Sequence, residues 1–235
     1  MSNPKISVIV PAFRSKGHIL DVLAGIPSFV TSIFVVDDAC PEKTGEFVTR
    51  EQSDPRVQVI RNDQNLGVGG TVIVGLRKAL ETDSEIFVKL DSDGQMNPLD
   101  MTRIIEPILL GTADYSKGNR FNSLDDLQEM PKKRIFGNAI LSLMSKFSTG
   151  YWSITDPTNG YIAFSRRALE SINLNKLRQR WFFESDILFR LAIIRAVVAD
   201  VPIRAKYDDE KSNLKIWKVI PEFIHRHNVN FLKRI

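Results

Sequence analysis

The 235-residue chain has a single cysteine, Cys40, and no apolar run long enough to cross a bilayer. One cysteine excludes an internal disulfide framework and a cysteine-rich zinc site, and it fits a reducing compartment. The longest apolar segment, residues 187–201, is interrupted by Arg190, Arg195 and Asp200, whereas a membrane-spanning helix needs roughly 18 apolar residues. The N-terminus also lacks the pattern of a secretory signal. We therefore expect a cytoplasmic protein.

The sequence also has little net charge, formally +4. The interleaved basic and aromatic residues of single-strand nucleic-acid binders are missing, so we expect no nucleic-acid partner. The charge is unevenly distributed, because six lysines and arginines after residue 210 face one acid, Glu222. Such an end could lie on an anionic membrane surface or form a solvated helix face, and the sequence leaves both interpretations open.

The first half of the chain alternates short β-branched runs with helical stretches, which predicts an α/β fold with a mainly parallel sheet. We expect strands at residues 6–10, 32–36, 57–60 and 86–88. We expect helices at residues 15–25, 44–52, 67–81 and from 98 onward. The second half predicts an amphipathic helix at 134–148, a short strand pair at 156–164 and a helix at 183–196. Asn65 is a candidate cap for the third helix.

The most informative motif is Lys89-Leu90-Asp91-Ser92-Asp93-Gly94-Gln95, which follows an apolar strand. Residues two apart on an extended backbone point the same way, so Asp91 and Asp93 can aim two carboxylates at one point beyond the sheet. Mg²⁺ and Mn²⁺ take such ligands and complete their shell with water and phosphate oxygens. The motif predicts a metal–diphosphate site. The alternative is a polar loop that caps the strand.

Two other strands end in polar or ring-bearing residues, namely Pro11-Ala12-Phe13 and Asp37-Asp38. Ligands of open parallel sheets bind outside the carboxyl ends of the strands, so these groups should share one edge with Asp91 and Asp93. The alternative for the Asp37-Asp38 pair is helix capping or turn formation. The glycine-rich run 65–70 lacks the spacing of a dinucleotide or phosphate-binding loop, and we expect it to let a helix approach its neighbour closely.

Six motifs, taken in order, resemble the family 2 glycosyltransferases of the GT-A fold over residues 5–213. They are Val10-Pro11-Ala12-Phe13, Val36-Asp37-Asp38, Asn65-Leu66-Gly67-Val68-Gly69, Asp91-Ser92-Asp93-Gly94-Gln95, Gly118-Asn119-Arg120 and Asn159-Gly160-Tyr161. Within that family the chain is most similar to dolichyl-phosphate mannose synthases and bacterial polyprenyl-phosphate transferases. The resemblance implies a Rossmann-like GT-A domain, which we expect over residues 1–212. We expect an amphipathic C-terminal helix at 213–235, for which a membrane-facing and a solvated position both stay open.

The resemblance implies an inverting transfer of a sugar from a UDP- or GDP-linked donor to a polyprenyl phosphate or other lipid-linked acceptor, at the inner face of the cell membrane. It places Pro11, Ala12, Phe13 and Asp38 around the nucleoside. It assigns Asp91, Ser92, Asp93 and Gln95 to the diphosphate, with Mg²⁺ or Mn²⁺ held by Asp91, Asp93 and Gln95. Phosphate contacts would come from Arg120, Arg134, Lys211 and Ser212.

The acceptor decides whether a base is needed. A lipid phosphate is already an anion, whereas a sugar hydroxyl requires a carboxylate to take its proton, and Glu184 and Asp186 are then the candidates. First-turn acids of a helix have an ordinary structural explanation as well. A sugar nucleotidyltransferase is disfavoured because the loop after the first strand has no glycine, and a binding protein without turnover is the other alternative.

Overall fold

The computed structural model describes residues 4–121, 132–204 and 216–234, with side chains from residue 135 in the second segment and from residue 221 in the third. Within these residues seven strands form one sheet: β1 (Ile6–Ala12), β2 (Ser32–Asp37), β3 (Val57–Arg61), β4 (Ile86–Lys89), β5 (Tyr115–Asn119), β6 (Ile162–Ser165) and β7 (Val198–Pro202). Their spatial order is β3-β2-β1-β4-β6-β5-β7. The predicted α/β fold with a mainly parallel sheet is confirmed.

The helices of the described residues cover both faces of this sheet. They are α1 (Ile19–Gly25), α2 (Thr44–Glu51), α3 (Gly67–Leu80), α4 (Met101–Leu109), α5 (Lys132–Thr149), α6 (Arg166–Ser171), α7 (Phe183–Ile193) and α8 (Ile216–Arg234), with short 3₁₀ turns at Pro98–Asp100 and Leu174–Lys176. Two buried clusters result, one on each face. In β1, for example, Val8 belongs to one cluster and Ile9 to the other, and neither is exposed. Burial on both faces explains why β1, β2 and β4 are mostly apolar runs.

The parallel half of the sheet brings the functional strand ends together. β2 and β4 flank β1, and β3 adds to β2, all in the same direction. Ala12, Asp37 and Lys89 therefore end neighbouring strands at one edge of the sheet. The residues that follow, including Asp91 and Asp93, lie along that edge, as the sequence predicted.

The other half departs from the predicted strand pair at 156–164. Only β6 is a strand there, and it runs antiparallel between β4 and β5. Asp156 and Asn159 instead form a turn, because the Asn159 N–H donates to the Asp156 carbonyl (3.3 Å) and the Tyr161 N–H donates to the Asn159 side chain (2.9 Å). This turn places Asn159 and Gly160 immediately before β6, beside the end of β4.

Two helix boundaries also differ from the predictions. α1 begins at Ile19 rather than residue 15, because residues 16–18 form a turn in which the Ser15 carbonyl accepts the N–H groups of His18 and Ile19. α7 ends at Ile193 rather than residue 196, since Arg195 has a φ of 54°, in the left-handed region that stops a helix.

Helix α8, near the C-terminal end of the described residues, packs against α5. The rings of Phe223 and His227 lie beside Phe182, with the His227 centroid 5.0 Å from that ring. His227 is 3% exposed, and its Nδ1 lies 2.8 Å from the Ser148 hydroxyl of α5. The predicted boundary between residues 212 and 213 lies outside the described residues. None of the described helices is long and apolar enough to span a bilayer.

Burial gives His227 a pH-dependent role in stability. Desolvation lowers the pKa of its imidazole from 6.5 to about 4. Between pH 6.5 and 4 the unfolded chain therefore binds a proton that the folded chain does not, and the free energy of unfolding falls by up to about 3 kcal/mol. Urea unfolding of wild type and His227→Gln at pH 7 and pH 4.5 measures this contribution.

We expect the His227→Gln variant to lose less stability on acidification than wild type. The control is His225→Gln, which removes an exposed histidine of the same helix and should leave the wild-type pH dependence intact. An equal loss in wild type and His227→Gln would show that His227 does not carry this effect.

Candidate active site

The loop after β4 is held against the end of β1. The Ser92 hydroxyl donates to the Pro11 carbonyl (2.8 Å), and the Leu90 N–H donates to the Ile9 carbonyl (3.0 Å). Asp93 accepts the Gln95 N–H (3.0 Å), which closes a tight turn around Gly94, where φ is +78°. Ser92 is buried, whereas Asp91, Asp93 and Gln95 keep part of their surface in solvent. A ligand can therefore reach these three side chains.

Directly beneath this loop lies a buried lysine. Lys89, the last residue of β4, is 1% exposed, and its Nζ is 2.8 Å from Asp91 Oδ1 and 3.5 Å from Glu184 Oε1 of α7. Burial by itself would lower the pKa of Lys89, but the carboxylates of Asp91 and Glu184 outweigh it and raise that pKa above its usual value. Lys89 is therefore a charged ammonium that joins Asp91 to Glu184.

A second buried lysine lies on the same face of the sheet. Lys89 and Lys117 both pair with Ile162 of β6, and residues directly opposite one another across strands share a face. The Lys117 Nζ donates to the Asn159 carbonyl, and burial lowers its pKa to about 8 despite the nearby charges of Asp156 and Glu184. The carboxylate of Glu184, on α7, thus faces two buried lysines of the sheet, Lys89 and Lys117. We call these three side chains the buried layer.

Arg120 forms a two-pronged ion pair with Asp156. Its Nε and Nη2 donate to the two carboxylate oxygens at 2.7 and 2.9 Å, and Asp156 is fully buried. Burial alone would raise the pKa of Asp156, but Arg120 lowers it below the usual value. Two guanidinium nitrogens are therefore engaged with the protein, and the phosphate contact expected of Arg120 stays a prediction.

Asp37 and Asp38 act as helix caps, which was the alternative interpretation of this pair. Asp38 is 4% exposed, and its two oxygens accept the N–H groups of Leu66 (2.8 Å) and Gly67 (2.9 Å) at the start of α3. Asn65, the predicted cap, makes no side-chain capping bond, so that prediction is wrong. Asp37 likewise accepts the N–H groups of Cys40 and Gly45 at the start of α2. The nucleoside contact of Asp38 stays a prediction.

The remaining predicted residues of the described structure are Phe13 and Ala12 at the end of β1 and Asp186 on α7. Phe13, just after β1, is 44% exposed beside the Arg14 guanidinium, while Ala12 is buried. Asp186 accepts the Arg178 N–H (3.1 Å) and lies 3.5 Å from Arg190 Nε, so its partners differ from those of Glu184. The side chains of Arg134, Lys211 and Ser212 lie outside the described residues.

The carboxylates of Asp91 and Asp93 fit a divalent cation whose remaining ligands include a phosphate oxygen. Asp91 and Asp93 supply hard carboxylate oxygens, the ligands that Mg²⁺ and Mn²⁺ prefer. Within the described segments no group of three or more acidic, histidine or cysteine side chains forms a complete metal cage. A cation at Asp91 and Asp93 would therefore need oxygens from water or from a bound diphosphate.

Sequence reasoning missed the buried charges that organise this site. Lys89, Lys117 and Asp156 received no role, although two of them are charged residues within strands. A lysine at the end of an apolar run is the signal that could have identified Lys89, whereas Lys117 lies in the polar sequence of β5 and has no such signal.

The fold matches solved glycosyltransferases. A structure of glucosyl-3-phosphoglycerate synthase from Mycobacterium tuberculosis, in complex with Mn²⁺, UDP and phosphoglyceric acid, superposes with a TM-score of 0.71 at 18% identity, covering 98% of this chain and 78% of the other. Together with the carboxylates at the end of β4, this likeness defines the class of the protein, an α/β protein with the GT-A fold.

The family model described as glycosyl transferase family 2 matches residues 7–172, most of the chain. An undecaprenyl-phosphate mannosyltransferase of Micrococcus luteus is 32% identical over 85% of this chain and 82% of its own. A UDP-N-acetylglucosamine–dolichyl-phosphate N-acetylglucosaminyltransferase of Methanococcus voltae is 28% identical over 89% and 88%. The chain belongs to glycosyltransferase family 2 and is an enzyme of that family, similar to its dolichyl- and polyprenyl-phosphate group, as its motifs predicted.

Proposed function

We propose that this enzyme transfers a sugar from a nucleoside-diphosphate donor to a polyprenyl phosphate, with inversion at the sugar carbon. The observation that carries the proposal is the pair Asp91 and Asp93 after β4, both partly exposed, with Asp91 ion-paired to Lys89. Support for the acceptor comes from the relatives, whose names specify dolichyl and undecaprenyl phosphate. The relative from Methanococcus voltae uses a UDP-linked sugar, and assays with both UDP- and GDP-sugars decide the donor for this chain.

In this mechanism the nucleoside lies near Pro11, Ala12 and Phe13, and the diphosphate lies over the loop 91–95. Asp91, Asp93 and Gln95 would hold Mg²⁺ or Mn²⁺, which stabilises the charge of a departing nucleotide when bound. Ser92 fixes the loop against β1 through the Pro11 carbonyl. Contacts of Arg120, Arg134, Lys211 and Ser212 with phosphate groups belong to the same proposal, as does a nucleoside contact by Asp38.

A phosphate acceptor suits this site better than a hydroxyl acceptor. A phosphate oxygen carries its charge already, so no side chain has to remove a proton before attack. The Glu184 side chain is only 11% exposed and is ion-paired with Lys89, which leaves little surface for an incoming hydroxyl. Asp186, the other candidate base, is engaged with Arg178 and Arg190. We therefore assign neither acid to proton removal.

The test is product analysis with labelled UDP- and GDP-sugars, Mn²⁺ or Mg²⁺, and undecaprenyl or dolichyl phosphate. We expect an organic-extractable lipid product with one donor class. Asp93→Ala should lower the rate at least about 100-fold, equivalent to about 2.7 kcal/mol of transition-state stabilisation. Asp63→Ala, which removes an exposed aspartate from the loop after β3, should keep the wild-type rate.

Transfer to a glycan hydroxyl without any lipid product would contradict the phosphate acceptor. A wild-type rate in Asp93→Ala would contradict the assignment of the metal and diphosphate to this loop.

The exposure pattern of helix α5 supports contact with a membrane, because polar side chains of this helix are buried and apolar ones are exposed. Ser142, Ser145 and Ser148 are buried against the protein. An apolar stripe with helical spacing instead faces solvent, formed by Phe136, Ile140, Leu143 and Phe147, all at least 45% exposed. A continuous exposed apolar face of this kind marks an interaction surface. We propose that this stripe lies in the headgroup region of the lipid bilayer that holds the acceptor, on its cytoplasmic side.

The charge near α8 is complementary to an anionic bilayer. A cleft of about 770 Å³ between α7, α8 and the segment 175–182 is lined by six basic residues and one acid among the described residues. The basic residues are Lys176, Arg178, Arg180, Arg190, Arg226 and Lys233, and the acid is Glu222. Because α8 packs against α5, these basic side chains lie near the helix that carries the apolar stripe, and such charges favour binding to anionic lipid.

Cosedimentation with vesicles that contain phosphatidylglycerol tests this surface. Replacing Ile140 and Leu143 together by serine should weaken vesicle binding about tenfold, because two apolar side chains no longer leave water on binding. The control replaces Leu109 and Leu110, comparably exposed at the end of α4, by serine and should bind as wild type does. Equal binding by all three proteins would refute the assignment of this surface.

A further inference from the structure

We propose that Asp91 and Glu184 are alternative partners of Lys89, and that Glu184 is a positioning residue that holds the Lys89 ammonium when Asp91 binds a divalent cation. The inference rests on the proposed function, since it requires a cation at Asp91. It gives Glu184 a task that differs from removing a proton from an acceptor.

The geometry places one ammonium between two carboxylates at unequal distances. Lys89 Nζ lies 2.8 Å from Asp91 Oδ1, a close ion pair, and 3.5 Å from Glu184 Oε1, at the outer limit of a hydrogen bond. The Asp91 side chain is 26% exposed, whereas that of Glu184 is 11% exposed. Asp91 is thus the partner that faces the ligand, and Glu184 is the partner that stays inside the protein.

A cation that binds Asp91 must compete with Lys89 for the same carboxylate. Both positive charges are attracted to the Asp91 carboxylate and repel each other, so binding of the metal weakens the Asp91–Lys89 contact. A buried ammonium without a partner is strongly unfavourable. Glu184 removes that difficulty, because a small movement of Nζ exchanges a short contact with Asp91 for a short contact with Glu184.

Lys117 balances the negative charge of Glu184 while Lys89 is paired with Asp91. Lys117 is fully buried and close enough to be influenced by the charge of Glu184. Since Glu184 also compensates Lys117, its carboxylate remains balanced while Lys89 is paired with Asp91. The buried layer can therefore accommodate either arrangement of Lys89.

Space for the exchange depends on Gly160. A Cβ atom at residue 160 would lie 2.7 Å from Asp91 Oδ2 and would collide with Lys89 Nζ. Any side chain at this position would push the ammonium away from Asp91 or block the carboxylate. The absence of a side chain at Gly160, in the turn before β6, thus provides the space in which Lys89 and Asp91 form their ion pair.

The test is the Mn²⁺ affinity, measured by calorimetry on protein saturated with UDP or GDP, whichever the wild type binds. In Glu184→Gln, Asp91 is the one anionic partner of Lys89 that remains among the described residues, so the ammonium competes more strongly with the metal. We expect the Mn²⁺ Kd to rise about tenfold or more. The matched control is Asp186→Asn, which removes a buried acid from the same helix turn and should leave the Mn²⁺ Kd within about twofold of wild type.

A second substitution separates this role from general damage to the fold. Adding Lys89→Met to Glu184→Gln removes the competing ammonium, so Mn²⁺ affinity should return to the wild-type value or exceed it. Structural damage from the first substitution would not be repaired in this way. If Glu184→Gln alone does not fold, as judged by circular dichroism, the neutral double variant still has to bind Mn²⁺ at least as tightly as wild type.

The outcomes distinguish the two proposals. No Mn²⁺ binding to wild type with either UDP or GDP would overturn the proposed metal site itself. Binding to wild type that is unchanged in Glu184→Gln, or a double variant that binds more weakly than wild type, would overturn the role of Glu184 and leave the metal site standing.

Discussion

The arrangement of this site depends on one constraint, the burial of the Lys89 ammonium at the end of β4. A buried charge needs partners of opposite sign, and the protein supplies Asp91 from the following loop and Glu184 from α7. These ion pairs connect the loop to α7, which packs on the same face of the sheet. Asp91, Glu184 and Gly160 all lie around that ammonium.

The aspartates at the strand ends have different tasks, although they share one edge of the sheet. Asp37 and Asp38 satisfy the free N–H groups at the starts of α2 and α3, and both are nearly inaccessible to solvent. Asp91 and Asp93 are each partly exposed. The first pair therefore fixes the helices that surround the site, while the second pair is in contact with solvent.

Much of the fold could be predicted from local patterns, because parallel strands covered on both faces are continuous apolar runs. Short apolar and β-branched runs identified the strands β1 to β4, and apolar residues at helical spacing identified α3. It could not show that β6 inserts antiparallel between β4 and β5, since pairing between distant strands leaves no local signal. The capping of α3 by Asp38 rather than Asn65 is likewise a contact between residues far apart in the chain. For the same reason the sequence identified Asp91 and Asp93 but not the lysine that joins Asp91 to Glu184.

Crystals of the enzyme with Mn²⁺ and the nucleotide that it binds, UDP or GDP, measured for anomalous scattering from manganese, test the central claim most directly. We predict a manganese peak in contact with Asp91 and Asp93 and with a diphosphate oxygen, and a Lys89 Nζ that lies closer to Glu184 than to Asp91. A nucleotide bound without manganese at these carboxylates, or manganese bound there while the Lys89–Asp91 ion pair stays unchanged, would contradict it.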